Sequence, residues 1–218
     1  MMLVAAVLIK IVLVGDSTVN DGGGWGPGFR AAFGPEVEVI NLARNGRSSK
    51  SFRDEGAWGP AVEAKPQYVL IQFGHNDCPG KGPARETDPA TTYRANLLRY
   101  IGEAEAAGAK PVLVTSIVRR VFTANGKIKP DCLVPFVEQT RAVATERGVP
   151  LMDLYELTRR QAEELGVNGA AKLGATTKEG KLDTTHLGPE GQRTIGAIAA
   201  GELVRAAPEL RRYARTIE

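Results

Sequence analysis

The sequence predicts an α/β fold, a parallel sheet with helices on both faces, and three features predict it. Five short apolar runs recur along the chain, helical patterns lie between them, and the runs are rich in β-branched residues. Runs of that length and composition suit strands buried on both faces, as in parallel sheets. Strand-helix alternation then implies a three-layer α/β/α sandwich around a five-stranded parallel sheet. Right-handed crossovers favour a flavodoxin-like strand order, which the sequence by itself leaves open.

The first strand is read at Ile11 to Val14, closed by Gly15, and the second at Val37 to Ile40. The third is Tyr68 to Phe73, the fourth Pro111 to Thr115, and a short fifth runs from Val149 to Met152. Thr91 to Ala107 carries Tyr93, Leu97, Leu98 and Ile101 on one helical face, with Gly108 as its stop. Further helices are expected at Leu133 to Arg147, ended by Gly148, and at Asp153 to Leu165, ended by Gly166. Pro189 to Arg205 closes the fold. Residues 119–131 and 167–185, rich in Gly, Asn, Lys and Thr, are read as long loops.

The 218 residues suit one domain, 1–218, with one sizeable core. The net charge of +3, from 28 basic against 25 acidic residues, is too small and dispersed to argue for nucleic acid. Arg205, Arg211, Arg212 and Arg215 are read as a solvated helix face. Cys78 and Cys132 allow at most one bridge, and two free thiols is the simpler expectation. No basic residue precedes the apolar stretch that begins Met1-Met2-Leu3, and no apolar run approaches the roughly 18 residues of a membrane span. The expectation is therefore a cytoplasmic protein without a membrane partner, with secretion as the alternative; the oligomeric state is left open.

Ligands of open parallel sheets bind at the carboxyl ends of the strands. Four polar segments fall there: Gly15-Asp16-Ser17-Thr18, Asn41 to Ser48, Gly74-His75-Asn76-Asp77, and Asp183-Thr184-Thr185-His186 before the last helix. Ser17 follows a buried strand and a turn-permitting Gly, which suits a nucleophile, although taken alone it reads as a helix N-cap. The chain has two histidines. His186 lies three residues after Asp183, so one turn can bring carboxylate to imidazole, fix the tautomer and stabilise the imidazolium. His75 is left as a structural or substrate-contacting residue. Candidate oxyanion donors are the Ser17 N–H, the Gly46 N–H and the Asn76 amide. Gly46 could equally be a turn glycine and Asn76 an Asx turn. Trp25, between Gly24 and Gly26, could wall the site or anchor the first helix in the core.

These four blocks resemble those of the SGNH (GDSL-type) hydrolase superfamily, in the same order and over most of the chain. Gly15-Asp16-Ser17-Thr18-Val19, Gly24-Trp25-Gly26, Asn45 to Phe52 and Gly74-His75-Asn76-Asp77 are similar to the versions in rhamnogalacturonan acetylesterases. The resemblance implies a flavodoxin-like three-layer fold, no cofactor, and removal of acetyl groups from pectic sugars. The missing export signal departs from secreted members and brings in imported oligosaccharides as substrates. The rivals are a lysophospholipase, thioesterase or general short-chain carboxylesterase of the same superfamily, a metallophosphoesterase, and a non-catalytic carbohydrate-binding protein. Two histidines are too few for a two-metal site, and a complete Ser-His-Asp set argues against decay into a binding module.

Overall fold

The computed structural model describes residues 8–177 and 179–215. The run Met1 to Val7, on which the reading of the amino terminus rests, lies outside the described residues. A parallel sheet of β1 (Ile9–Gly15), β2 (Val37–Asn41), β3 (Tyr68–Gln72), β4 (Lys110–Val114) and β5 (Leu151–Met152) has the order β2-β1-β3-β4-β5. That is the flavodoxin-like order expected from right-handed crossovers.

Alternation along each strand divides the core between the two faces. Ile11 and Leu13 of β1, Leu70 of β3 and Val112 of β4 join one apolar cluster. Val12, Val14, Ile71 and Leu113 join the other. The first face is covered by α1 (Gly26–Ala31) and α7 (Pro189–Ala206), through Phe29, Ile195 and Leu203. Against the second lie α2 (Ser51–Asp54), α3 (Gly59–Glu63), α4 (Arg94–Ala106) and α5 (Val134–Arg147), through Phe52, Ala61, Leu97, Tyr100 and Phe136. Each buried aliphatic or aromatic side chain contributes roughly 1.5–3 kcal/mol by leaving water. From Ile11 to Gly15, β1 is fully buried in this slab, so the position where it ends is tightly determined. A side chain at Gly28 would strike the Gln192 carbonyl, and one at Gly196 the backbone of Gly28 and Phe29. The helix pair α1 and α7 therefore packs backbone to backbone.

Several elements depart from expectation. α6 (Leu154–Lys172) does not stop at Gly166: the backbone breaks there, at φ 65° and ψ 178°, and helix resumes at Val167. The span 167–185 is thus not one loop. After the rest of α6 it forms a hairpin of β6 (Gly174–Thr176) and β7 (Leu182–Leu187). The helix read at Thr91 opens with a π-turn at Pro89–Tyr93, the first helix begins only at Gly26, and the short helices α2 and α3 have no counterpart in the sequence reading. Arg211, Arg212 and Arg215 are exposed, and Arg205 pairs with Glu202 at 2.8 Å. No helix of the described residues is long and apolar enough to cross a membrane.

The cysteines correct the expectation of free thiols. Cys78 and Cys132 are joined, with Cα atoms 5.8 Å apart, tying the loop after β3 to the approach of α5. Closing a loop of 54 residues removes chain entropy worth about 4 kcal/mol at most from the unfolded state. Replacing both cysteines by alanine should lower the unfolding free energy by about 2–4 kcal/mol, read from urea denaturation. An unchanged midpoint, with two thiols titrating in the native wild type, would contradict the bridge.

Candidate active site

The carboxyl ends of β2, β1 and β3 lie side by side, Leu13 level with Asn41 and Gly15 with Gln72. The segments that follow them converge on one edge. Ser17 comes two residues after β1 on a turn in which the N–H groups of Val19 and Asn20 both donate to the Asp16 carbonyl, 3.2 Å each. Ser17 is not a helix N-cap, since α1 begins at Gly26. A side chain at Gly15 would come within 2.6 Å of the Gln72 carbonyl and of Val19, so only glycine allows the strand to turn here.

Asp16 Oδ1 accepts the Thr18 N–H (2.8 Å) and hydroxyl (2.7 Å). Gln72 Nε2 donates to the same hydroxyl (2.7 Å), and Gln72 Oε1 accepts the Trp25 indole N–H (2.9 Å). This buried chain of hydrogen bonds sets the nucleophile turn against β3. It also settles Trp25: the side chain is fully buried, edge-on to Phe29, and anchors α1 in the core. It does not wall the site. Asp16 Oδ2 has no partner among the described residues, and burial lifts the carboxyl to about 6 against the hydrogen bonds from Thr18.

His186 Nε2 stands 2.9 Å from Ser17 Oγ, and its Nδ1 stands 2.7 Å from Asp183 Oδ2. A carboxylate only accepts, so Nδ1 carries the proton and Nε2 is free to accept the serine proton. The other oxygen, Asp183 Oδ1, accepts the N–H groups of Thr185 (2.7 Å) and His186 (2.9 Å). Burial alone would raise the Asp183 carboxyl, but these three hydrogen bonds outweigh it and hold it below the ordinary value. The three-residue spacing brings carboxylate to imidazole on the hairpin strand β7, where the N–H groups of Thr185 and His186 fold back onto Asp183 Oδ1. Gly23 packs beneath the imidazole, where a Cβ would lie 3.3 Å from His186 Cβ, and its carbonyl accepts the Leu187 N–H at 2.8 Å.

Gly46 lies in the turn after β2 that Arg47 N–H closes onto the Arg44 carbonyl, at a φ of 74° that favours glycine. Asn76 Nδ2 donates to the Arg47 carbonyl at 3.2 Å, which links the loops after β2 and β3 and orients the amide. An amide nitrogen carries two protons, so one remains. Beneath them, buried Asp77 accepts the Ser49 N–H (3.1 Å) and hydroxyl (2.6 Å) and the Thr87 hydroxyl (2.9 Å). Sequence reasoning had not singled out Asp77, Ser49 or Gly23, because their partners are remote in the chain.

His75 is 4% exposed and donates through Nε2 to the Ile117 carbonyl at 3.1 Å. Of its two readings, this burial and this main-chain partner support the structural one. Burial, with repulsion from Arg119, pushes its pKa down to about 3. Among the described residues no group of three or more His, Cys, Asp or Glu side chains is placed to hold a metal ion.

A serine hydroxyl, an accepting imidazole and a partly exposed carboxylate in hydrogen-bonded series, with N–H donors on the same edge, can carry out acyl transfer; this is the constellation of a serine hydrolase. The chain belongs to the GDSL-like lipase/acylhydrolase family, whose model matches residues 13–194, and it is a carboxylic ester hydrolase. A rhamnogalacturonan acetylesterase of Bacillus subtilis is 34% identical over 209 residues, 88% of each chain. A probable rhamnogalacturonan acetylesterase of the same organism is 32% identical, covering 87% of this chain and 90% of that one. In fold the chain is similar to an acetylxylan esterase from Geobacillus stearothermophilus, TM-score 0.66 at 17% identity, covering 91% of this chain and 93% of that one.

The neutral burial of His75 has a pH signature. Its folded pKa lies below the unfolded value, so the unfolded chain binds the extra proton and stability falls as pH drops from 6.5 towards 3. His75→Gln, which keeps a donor for the Ile117 carbonyl, should lose this component. Melting temperatures from pH 7 to about pH 4 should converge on, or fall below, those of the variant. Parallel curves would mean that His75 already carries its proton in the fold.

Proposed function

We propose that this enzyme removes acetyl groups from carbohydrate by a two-step serine mechanism, with pectic rhamnogalacturonan-type saccharides as the substrate class. The observation that carries the reading is the unbroken series Ser17 Oγ, His186 Nε2, His186 Nδ1, Asp183 Oδ2, with contacts of 2.9 and 2.7 Å. Ser17 Oγ passes its proton to His186 and attacks the acetyl carbonyl. The oxyanion that develops is held by the N–H groups of Ser17 and Gly46 and by the free proton of Asn76 Nδ2. His186 then gives this proton to the sugar oxygen as its bond to the acetyl carbon breaks, and water activated by the same imidazole releases acetate from Ser17. Asp183 keeps the imidazole in the productive tautomer throughout.

The sugar and the acetyl group are supported by the relatives, two of which bear the name rhamnogalacturonan acetylesterase at 34% and 32% identity. Trp25, being buried, offers no wall that would limit acyl length. The compartment follows a different argument. A Cys78–Cys132 bridge suits an oxidising environment better than a reducing cytosol, which favours the export alternative over the cytoplasmic expectation. Export would bring the enzyme to polymer as well as to oligosaccharide.

Two measurements test the reading. Asn76→Ala should lower kcat roughly 10²–10³-fold with KM little changed, as for loss of one oxyanion donor. A raised KM with kcat intact would make Asn76 a ground-state contact. On a panel of acetylated pectic fragments, acetylxylan and nitrophenyl esters, acetate should be released fastest from the pectic fragments, and nitrophenyl acetate should outpace the butyrate and octanoate. Preference for octanoate would replace the acetylesterase reading with that of a lysophospholipase or thioesterase.

A further inference from the structure

Arg120 makes contacts that the chemistry above does not use. It is 7% exposed, and it addresses four consecutive carbonyls of the segment that carries the acid and the base. Its guanidinium Nη2 donates to the carbonyls of Asp183 (2.9 Å) and His186 (2.7 Å), and Nη1 reaches the carbonyl of Thr185 at 3.5 Å. Its own main-chain N–H donates to the carbonyl of Thr184 at 2.8 Å.

These four residues need an outside partner. In the hairpin, β7 is in register with β6 only at Leu182 and Leu187, with an irregularity between, so the arch from Asp183 to His186 stands out of the ladder. Its two central peptides are gripped on both sides. The N–H groups of Thr185 and His186 point to Asp183 Oδ1, while the carbonyls of Thr184 and Thr185 point to Arg120. Rotation of either peptide would break a hydrogen bond at each end and swing the imidazole away from Ser17. A buried cation spent on neutral carbonyls is costly to hold unless they are fixed. The approach to Arg120 is fixed in turn, since Val118 N–H donates to Thr158 Oγ1 at 3.1 Å and the Ile117 carbonyl accepts from His75.

We propose that Arg120 is a positioning residue for the reaction: by binding the carbonyls of Asp183 to His186 it holds the imidazole at hydrogen-bonding distance from Ser17 Oγ. This rests on the triad reading and extends it. A misplacement on the order of 1 Å costs about 10²-fold in rate, so the loss belongs in kcat and not in KM.

The test uses Arg120→Lys, which keeps the charge but cannot span the arch, and Arg120→Ala, which leaves room for added methylguanidinium. Arg120→Lys should lower kcat on nitrophenyl acetate by roughly 10²-fold with KM within about twofold. The downfield proton resonance of His186 Nδ1–H should weaken or vanish at a temperature where the fold is intact by circular dichroism. Methylguanidinium should restore Arg120→Ala by roughly tenfold or more, and leave the wild type unaffected. If both variants melt earlier yet keep wild-type kcat and the downfield resonance below their melting points, Arg120 is merely structural and the proposal falls. Should Arg120→Ala fail to fold, the kcat and resonance of Arg120→Lys decide. Ser17→Ala is assayed alongside: activity retained there would overturn the triad itself, whereas an inactive Ser17→Ala beside a fully active Arg120→Lys would overturn only the role of Arg120.

Discussion

The 2.9 Å contact between Ser17 Oγ and His186 Nε2 joins residues 169 apart in sequence, and much of the fold serves to hold its two ends still. A serine and an imidazole gain little from meeting at the surface, where water competes for both. Their alignment has to be supplied by groups that cannot move. The serine end is fixed by a central strand buried on both faces and by the chain Asp16, Thr18, Gln72, Trp25, in which every link lies between 2.7 and 2.9 Å. The histidine end sits on a hairpin arch with little ladder pairing of its own. It relies on α7 behind it, on Gly23 beneath the ring, and on the grip of Asp183 and Arg120 on the intervening peptides.

The close approach of α1 and α7 at Gly28 and Gly196 connects these two ends. α1 follows the serine turn through Trp25, and α7 follows the histidine arch through Leu187 and Gly188. Backbone-to-backbone packing of the two helices therefore sets the distance between nucleophile and base. Asp77 and Asn76 lace the loops after β2 and β3 together, which fixes the two groups proposed as oxyanion donors, the Gly46 N–H and Asn76 Nδ2, by hydrogen bonds that substrate need not supply. Burial raises both Asp16 and Asp77 to about 6, the cost of putting carboxylates where they can fasten main-chain and hydroxyl donors.

Much of this was legible in the amino-acid order, and the remainder has physical reasons for being hidden. The strands were readable because β-branched runs buried on both faces leave an uninterrupted apolar signature, whereas handedness only favoured the strand order that the sheet shows. The triad was readable because the chain has two histidines and one of them lies three residues from Asp183. The hairpin at 174–187 was not, since its strands are short and polar and have no apolar face to declare. Gly166 was correctly a helical break, but nothing local says that helix resumes after it. Trp25 and His75 were ambiguous because aromatic residues serve cores and sites alike, and only the hydrogen bonds to Gln72 and Ile117 decide. The Cys78–Cys132 bridge and the contacts of Arg120 join positions 54 and more than 60 residues apart, beyond any periodic signal.

On the proposed mechanism Ser17 carries the one hydroxyl that this architecture activates. The most direct test is to treat the folded enzyme with an excess of a fluorophosphonate, and to locate the adduct by intact-mass measurement and peptide mapping. One adduct per chain is expected, on Ser17, with none on Ser17→Ala and strongly slowed labelling of His186→Ala. An adduct on another serine such as Ser48, Ser49 or Ser116, or equal labelling rates with and without His186, would contradict the mechanism.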